Sequence, residues 1–356
     1  SGRAISRDHL RNADILLVRS ITQVNSRLLE GTAVKFVASA TIGLDHIDQG
    51  YLTKRGIGFS GAPGSNAESV AQYVAAALLV LAGRLKWQLS EKSIGIIGVG
   101  NVGSRVQRVG KAFGMKVLLN DPPLKRQTGE EKYLPLESLY DADVITLHVP
   151  LTKQGMDATR HLVNEEFLSR MKIGSVLINT ARGSVVDNNA LQTALERKRI
   201  SAAVLDVWEG EPAVNCELIQ KVAIGTSHIA GYSYDGKVCG TRMIYDAACR
   251  YLGIVPSWNP ETVMTLPAVP EMTLDCTNHA LQDLLAEAVS KIYDIEKDDA
   301  ALRKILTLPE TERPAYFDRL RKEYPVRWEF QNTVVNLRPY REDAAVALKG
   351  LLFKVR

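Results

Sequence analysis

The sequence predicts an α/β protein built on a doubly wound parallel sheet, and three observations predict it. Short apolar runs alternate with amphipathic stretches from Ala13 to Gly253. One of them, Ser93–Ile97, leads into a glycine turn, Gly98, Gly100 and Gly103, in the phrase SIGIIGVGNVG. An acid, Asp121, stands 18 residues past Gly103 at the end of the next apolar run. Strand, glycine turn, helix, strand and terminal acid in that order form a dinucleotide-binding βαβ unit.

Ala13–Val18, Val34–Ala38 and Ile57–Phe59 are short apolar runs bounded by polar residues or glycine, as parallel strands are. Ser65-Asn66-Ala67-Glu68 predicts a capping box that opens a helix running to about Leu85. Within it, Val74–Ala82 is the longest apolar stretch of the chain. It falls short of the roughly 20 residues a membrane span needs, so it predicts a buried helix. Arg84-Leu85-Lys86-Trp87 is a crossover into the second unit. There Ser93–Ile97 is a strand, and Val102, Val106, Val109 and Phe113 share a helix face that ends at Gly114. Lys116–Asn120, Val144–Val149, Ser175–Asn179, Ala202–Val207 and Ala223–Thr226 complete the strands. Pro256, Pro260, Pro267 and Pro270 mark a linker. Beyond it, an amphipathic helix at Leu281–Tyr293 and a strand-like Val326–Leu337 predict a separate α+β domain.

At 356 residues, 46% hydrophobic and 24% charged, the chain can bury two or three cores. The net charge of +4 is dispersed, apart from short clusters such as Arg319, Arg321 and Lys322. That suits small anionic ligands and gives no reason to expect nucleic acid or membrane as a partner. Cys216, Cys239, Cys249 and Cys276 form no CxxC pair and sit at no metal-ligand spacing with a histidine. Reduced thiols, a cytoplasmic setting and no metal are expected.

In the glycine turn, Gly98 permits the tight bend, Gly100 lets backbone approach a pyrophosphate, and Gly103 lets helix and strand pack closely. Asp121 would accept hydrogen bonds from ribose hydroxyls and favour NAD over NADP, although Lys125 and Arg126 follow closely. Three further phrases carry a cation, an acid and an imidazole. Arg182 in LINTARGSVVD can clamp a carboxylate bidentately and polarise the neighbouring oxygen. His228 in GTSHIAGY, after a strand end, can take the proton of a substrate hydroxyl as hydride departs. Glu211 in LDVWEGEP can bond the other ring nitrogen and fix the tautomer. Asp206 could hold a nicotinamide carboxamide or serve only structurally. His9, His46, His148, His161 and His279 have no such partner phrase and read as structural or surface residues.

SIGIIGVGNVG, INTARGSVVD, LDVWEGEP and SHIAGY together resemble the D-2-hydroxyacid dehydrogenases over roughly residues 10 to 255. The resemblance implies a Rossmann NAD-binding domain, a flavodoxin-like substrate domain and an active site in the cleft between them. It implies NAD as cofactor, with Gly98, Gly100, Asn101, Val102, Gly103, Asp121, Val149, Thr180, Ala181, Arg182, Asp206 and Gly231 lining its site. Arg182, Glu211 and His228 would be the catalytic residues, and Ser20, Thr41 and Tyr232 would touch substrate, with Arg19 adding positive charge. LLVRSIT, FVASATIGLDHID, FSGAPGSNAESVAQYV, LNDPP, HIAGYSYDGKVCGT and the tail phrase KIYDIEKDDAALRK resemble one branch of that family. That branch oxidises a phosphorylated four-carbon sugar acid and forms a homodimer through a C-terminal α+β dimerisation domain. The implied domains are 1–86 with 232–255 for substrate, 87–231 for NAD and 256–356 for dimerisation. In two respects the chain departs from the branch. A further strand and helix normally precede Gly2-Arg3, and Ser65 stands where a cysteine is common. The alternatives are a phosphoglycerate or other 2-hydroxyacid dehydrogenase, and a non-enzymatic NAD-sensing corepressor or scaffold.

Overall fold

The computed structural model describes residues 4–19, 22–262 and 264–356. It divides into two compact units, Ser1–Ala67 with Ser233–Leu266, and Glu68–Tyr232 with Pro267–Arg356.

In the first unit, β1 (Ile15–Val18), β2 (Phe36–Ser39) and β3 (Gly58–Ser60) form a parallel sheet in that order. Each strand follows a helix or turn, so each crossover returns the chain in the same direction. The long helix Tyr234–Leu252 packs on β2. Gly240 makes this possible, because a Cβ there would lie 3.1 Å from the carbonyl oxygen of Ala40. Phe36, Ala38, Ile244, Ala247 and Ala248 fill the contact, and Tyr251 stacks on Phe36 at 4.7 Å.

The second unit carries β4 (Ser93–Ile97), β5 (Lys116–Asn120), β6 (Val144–Leu147), β7 (Val176–Asn179), β8 (Ala202–Leu205) and β9 (Ile224–Gly225). They form one parallel sheet in the order β5-β4-β6-β7-β8-β9. A single parallel bridge from Leu119 to Tyr133 extends the sheet outside β5. The chain therefore runs outward from β4 to the Tyr133 bridge and then returns to β6 on the other side. Ligands bind at such a reversal, at the carboxyl ends of the two strands that flank it.

Alternate residues of these strands supply both faces. Ile94, Ile96, Val144, Ile178 and Val204 face a core completed by the helices Ala67–Leu85 and Asn101–Ala112. Ile97, Ile145, Leu147, Leu177 and Leu205 face the helices Glu165–Arg170, Asn188–Glu196 and Cys216–Lys221. Ala67–Leu85 is the only described helix long and apolar enough to cross a membrane, and 72% of its most apolar window is buried in this core.

Residues 267–356 pack onto the same sheet. β10 (Glu271–Asp275), β11 (Val334–Arg338) and β12 (Lys354–Val355) form a small parallel sheet. With it go the helices Leu281–Ile292, Ile295–Arg303, Arg313–Lys322 and Glu342–Gly350. Met272, Leu274, Leu284, Leu348 and Phe353 belong to the core that contains Ile94 and Ile96. The segment expected as one strand, Val326–Leu337, is regular only from Val334; a turn of 3-10 helix covers Phe330–Asn332.

Candidate active site

The glycine turn is built as its spacing predicts. Gly98 has φ +87°, a left-handed conformation that favours glycine, and a Cβ there would lie 2.8 Å from the His148 carbonyl carbon. A Cβ on Gly103 would lie 2.0 Å from the Gly98 carbonyl oxygen, so only glycine lets this helix seat against the turn. At Gly100 an added Cβ would meet nothing within 4 Å, and there the backbone is open to a ligand. Asn101 begins the helix, exposed, its carbonyl receiving Ser104 Oγ and Arg105 Nη1, while Val102 packs on the core.

Asp121 ties this turn to the next strand. Its Oδ2 accepts the Val99 amide at 2.7 Å, and its Oδ1 accepts the Leu124 amide at 2.9 Å, capping the helix Pro122–Thr128. A carboxylate has about four acceptor positions, so these two bonds leave capacity for hydroxyls. The glycine cradle, its helix N-terminus and this acid fit a dinucleotide with a free 2′-hydroxyl.

Across the reversal, Val149 puts its Cγ1 2.9 Å from the place a Gly98 Cβ would take. His148 precedes it, with Nε2 2.9 Å from Thr146 Oγ1 and Nδ1 3.3 Å from Thr180 Oγ1. Protein atoms crowd the ring although part of its surface reaches solvent, and burial pushes the imidazole down to about 3. It is neutral at every working pH.

Arg182 sits on a loop braced by one asparagine. Asn179 Oδ1 accepts the Ala181 amide at 3.0 Å and Asn179 Nδ2 donates to the Arg182 carbonyl at 2.9 Å. Arg182 Nη1 donates to the Ala181 carbonyl at 2.7 Å. The next residue locks this loop to the one that carries Glu211. A Cβ on Gly183 would lie 2.0 Å from the Trp208 carbonyl oxygen and 2.5 Å from the Glu209 nitrogen.

His228 Nδ1 and Glu211 Oε1 form a short hydrogen bond, and Glu211 Oε2 accepts the Trp208 amide at 3.1 Å. Burial raises the Glu211 carboxyl, but the imidazole, that amide and the Arg321 guanidinium outweigh it and hold it below the usual range. With Nδ1 held by Glu211, Nε2 is the ring atom left for a substrate hydroxyl. The His228 backbone has φ +59°, a strained conformation for a residue with a side chain.

Asp206 holds that strain. It is 2% exposed, and its carbonyl receives the His228 amide at 2.7 Å. Its Oδ1 accepts Thr226 Oγ1 at 2.6 Å and the Ile229 amide at 2.7 Å, and its Oδ2 accepts the Ala230 amide at 3.0 Å. Asp206 thus holds the loop that carries His228 from beneath. Gly231 and Tyr232 end the loop, partly exposed, with Tyr232 edge-on to Tyr324 at 5.9 Å.

In the first unit, Thr41 Oγ1 lies 2.7 Å from Ser39 Oγ, which in turn lies 2.9 Å from Nε2 of the buried His46. Arg19 is exposed at the end of β1, and its carbonyl accepts the Thr22 amide. Ser20 lies outside the described residues.

Two features were not visible in the sequence. His161, read as a structural or surface residue, has its Nε2 2.6 Å from Glu209 Oε1. Gly183 is the glycine that follows Arg182 in TARGS, and nothing in that phrase shows that it packs on the Trp208 backbone. No lone-pattern argument identifies a glycine whose partner is backbone far along the chain.

Comparison with known proteins agrees with this geometry. A family profile described as the NAD-binding domain of D-isomer specific 2-hydroxyacid dehydrogenases matches residues 71–230. A second, described as a domain of unknown function (DUF3410), matches residues 264–350. The chain is 42% identical over 355 residues to the erythronate-4-phosphate dehydrogenase of Hahella chejuensis, covering 99% of this chain and 92% of that one. It is 44% identical over 335 residues to the Escherichia coli K12 protein of the same name, covering 94% and 87%. Among solved structures, Aquifex aeolicus D-lactate dehydrogenase with NAD and lactic acid is similar at TM-score 0.59 and 32% identity, covering 71% of this chain and 90% of that one. The Staphylococcus aureus NAD-dependent formate dehydrogenase is similar at TM-score 0.58 and 27% identity, covering 71% and 83%. The chain belongs to the erythronate-4-phosphate dehydrogenases, NAD-dependent enzymes within the D-isomer specific 2-hydroxyacid dehydrogenases.

Proposed function

We propose that this chain oxidises the 2-hydroxyl of 4-phospho-D-erythronate to the 2-oxo acid, a step in pyridoxal phosphate biosynthesis. The observation that carries the reading is the His228–Glu211 pair at the carboxyl end of the sheet, with the Arg182 loop locked against the Glu211 loop through Gly183. NAD, when bound, accepts the hydride. Gly98, Gly100, Asn101, Val102, Gly103 and Asp121 would hold its pyrophosphate and adenosine. Val149, Thr180, Ala181, Arg182, Asp206 and Gly231 would line the remainder.

His228 Nε2 removes the hydroxyl proton, and Glu211 stabilises the imidazolium that results. Arg182 holds the substrate carboxylate and draws electron density from the forming carbonyl. Ser20, Thr41 and Tyr232 would bind the polar substrate, and Arg19 would add charge. Residues 87–231 act as the cofactor-binding part, 1–86 with 232–255 as the substrate part, and 256–356 as the part through which two copies form a homodimer.

The test is NADH formation with 4-phospho-D-erythronate and with 3-phospho-D-glycerate, beside a His228→Asn variant. Turnover of the first alone, lost in the variant, is expected. Preference for the glycerate would replace the substrate, and undiminished turnover in the variant would remove His228 as the base.

A further inference from the structure

The cluster Arg319, Arg321 and Lys322 closes the helix Arg313–Lys322, where the dipole favours cations, and the chemistry described so far uses none of the three as a ligand. Arg319 and Lys322 are exposed, and Arg319 lies over the Tyr316 ring at 5.0 Å. Arg321 differs. It is partly buried, and its guanidinium carbon lies 5.9 Å from the centre of the Tyr232 ring, on the catalytic loop. Its Nε is shut off from solvent and has no hydrogen-bond partner among the described residues.

Arg327 is anchored through Nη2 on the carbonyls of Ala230 and Ser69, with its Nη1 also buried and without a partner among the described residues, and Arg303 pairs with Asp299 and donates to the carbonyls of Ile219 and Val222. Glu211, the acid whose charge Arg321 feels, spends its two oxygens on His228 and the Trp208 amide. A buried guanidinium nitrogen without an acceptor is costly to keep. A planar fork of donors of this kind matches the oxygens of a phosphate monoester.

We propose that Arg321 binds the phosphate group of the substrate, so that the C-terminal segment supplies the specificity for a phosphorylated acid. This rests on the reading of the substrate given above. The carboxylate end goes to Arg182 and the phosphate end to Arg321, with Tyr232 beneath the same guanidinium. A neutral or aldehydic tail would leave Arg321 without an acceptor.

The test compares wild type with Arg321→Met, which keeps length and loses the donors, and Arg321→Lys, which keeps charge and loses the fork. The ratio of kcat/KM for 4-phospho-D-erythronate to that for unphosphorylated D-erythronate is expected to fall by roughly 10- to 100-fold in Arg321→Met. Arg321→Lys is expected to recover part of it, with the pH profile of kcat unmoved. An unchanged ratio, or equal losses on both acids with a displaced pH profile, would overturn the proposal and make Arg321 a partner of Glu211 instead. Inorganic phosphate is also titrated calorimetrically into the enzyme with NADH. Binding at least about tenfold weaker in Arg321→Met is expected, and equal binding overturns the proposal. Thermal unfolding and NADH affinity establish that the variants fold. A wild type that prefers D-erythronate would refute the substrate reading, while the phosphate titration would still decide the role of Arg321.

Discussion

At the residue scale, the two histidines near the sheet's carboxyl ends are set to opposite tasks by their neighbours. His228 has a carboxylate on Nδ1, whereas His148 has only the hydroxyls of Thr146 and Thr180. Burial alone therefore decides His148 and lowers it to about 3 from the usual value near 6.5. In the unfolded chain His148 takes up a proton as pH falls through about 6.5, and in the folded chain it does so only near 3. Stability is thus full above the unfolded value and declines as pH falls, by up to about 1.4 kcal/mol per unit from this one group. His148→Asn is expected to flatten the slope by that amount, read from urea unfolding between about pH 4 and 6. Glu211 acts in the same direction at lower pH, since its folded carboxyl lies below the usual range and its contribution is lost as pH falls through the folded value. Glu211→Gln keeps the shape of the pair but removes its charge. A fall in kcat of about 10- to 100-fold with little change in KM is expected from steady-state rates.

At the element scale, the glycine turn separates two effects that sequence alone merges. A Cβ on Gly103 would lie 2.0 Å from the Gly98 carbonyl oxygen, far inside van der Waals contact, whereas one on Gly100 would meet no protein atom within 4 Å. Gly103→Ala is therefore expected to destabilise by about 1–3 kcal/mol and to weaken NAD binding, because the helix must back away from the turn. Gly100→Ala is expected to leave the melting temperature in place and weaken NAD binding alone, by fluorescence titration. The same distinction explains which elements the sequence made legible. β4, β6, β7 and β8 are runs such as SIGII and VLIN, buried on both faces, and such runs announce themselves. β10 reads EMTLD with every second residue exposed, and the helix Ile295–Arg303 reads IEKDDAALR with a buried aspartate, so neither has an apolar signature. Val326–Leu337 misled because the buried Arg327, Trp328 and Glu329 look like strand residues but serve as a packed loop. The Arg, Glu and His of the site were legible from their phrases. The structural bonds of Asp206 were not legible, because an acid at a strand end reads alike whether or not it holds three donors of its own chain.

At the scale of the whole molecule, the C-terminal segment is part of the same compact unit as the loop that carries His228. The helix Glu342–Gly350 lies on the dinucleotide helix so closely that a Cβ on Gly350 would come 2.8 Å from the Ala112 Cβ, and Arg108 donates to the Gly350 carbonyl at 3.0 Å. Arg327, 7% exposed, reaches the Ala230 carbonyl on the His228 loop at 2.6 Å and lies over the Tyr293 ring at 4.2 Å. Around it, burial pushes up the Asp298 carboxyl, which accepts Tyr293 and Tyr324 hydroxyls at 2.9 and 2.7 Å. A network this enclosed cannot lose one member without stranding the others. Residues 68–232 and 267–356 are therefore expected to unfold in one step. Trp208, 1% exposed in the sheet-bearing part, and Trp328, 7% exposed in the C-terminal part, provide the two probes. With Trp87 and Trp258 replaced by phenylalanine, in variants that retain only one of the two probes, the urea midpoints should coincide, and removal of NAD should move both equally. An earlier transition at Trp328 would mean that the C-terminal segment folds as a separate domain on a finished sheet. Coincidence would mean that the core shared by Ile94, Leu274 and Leu348 makes the cofactor site and its C-terminal brace a single cooperative structure.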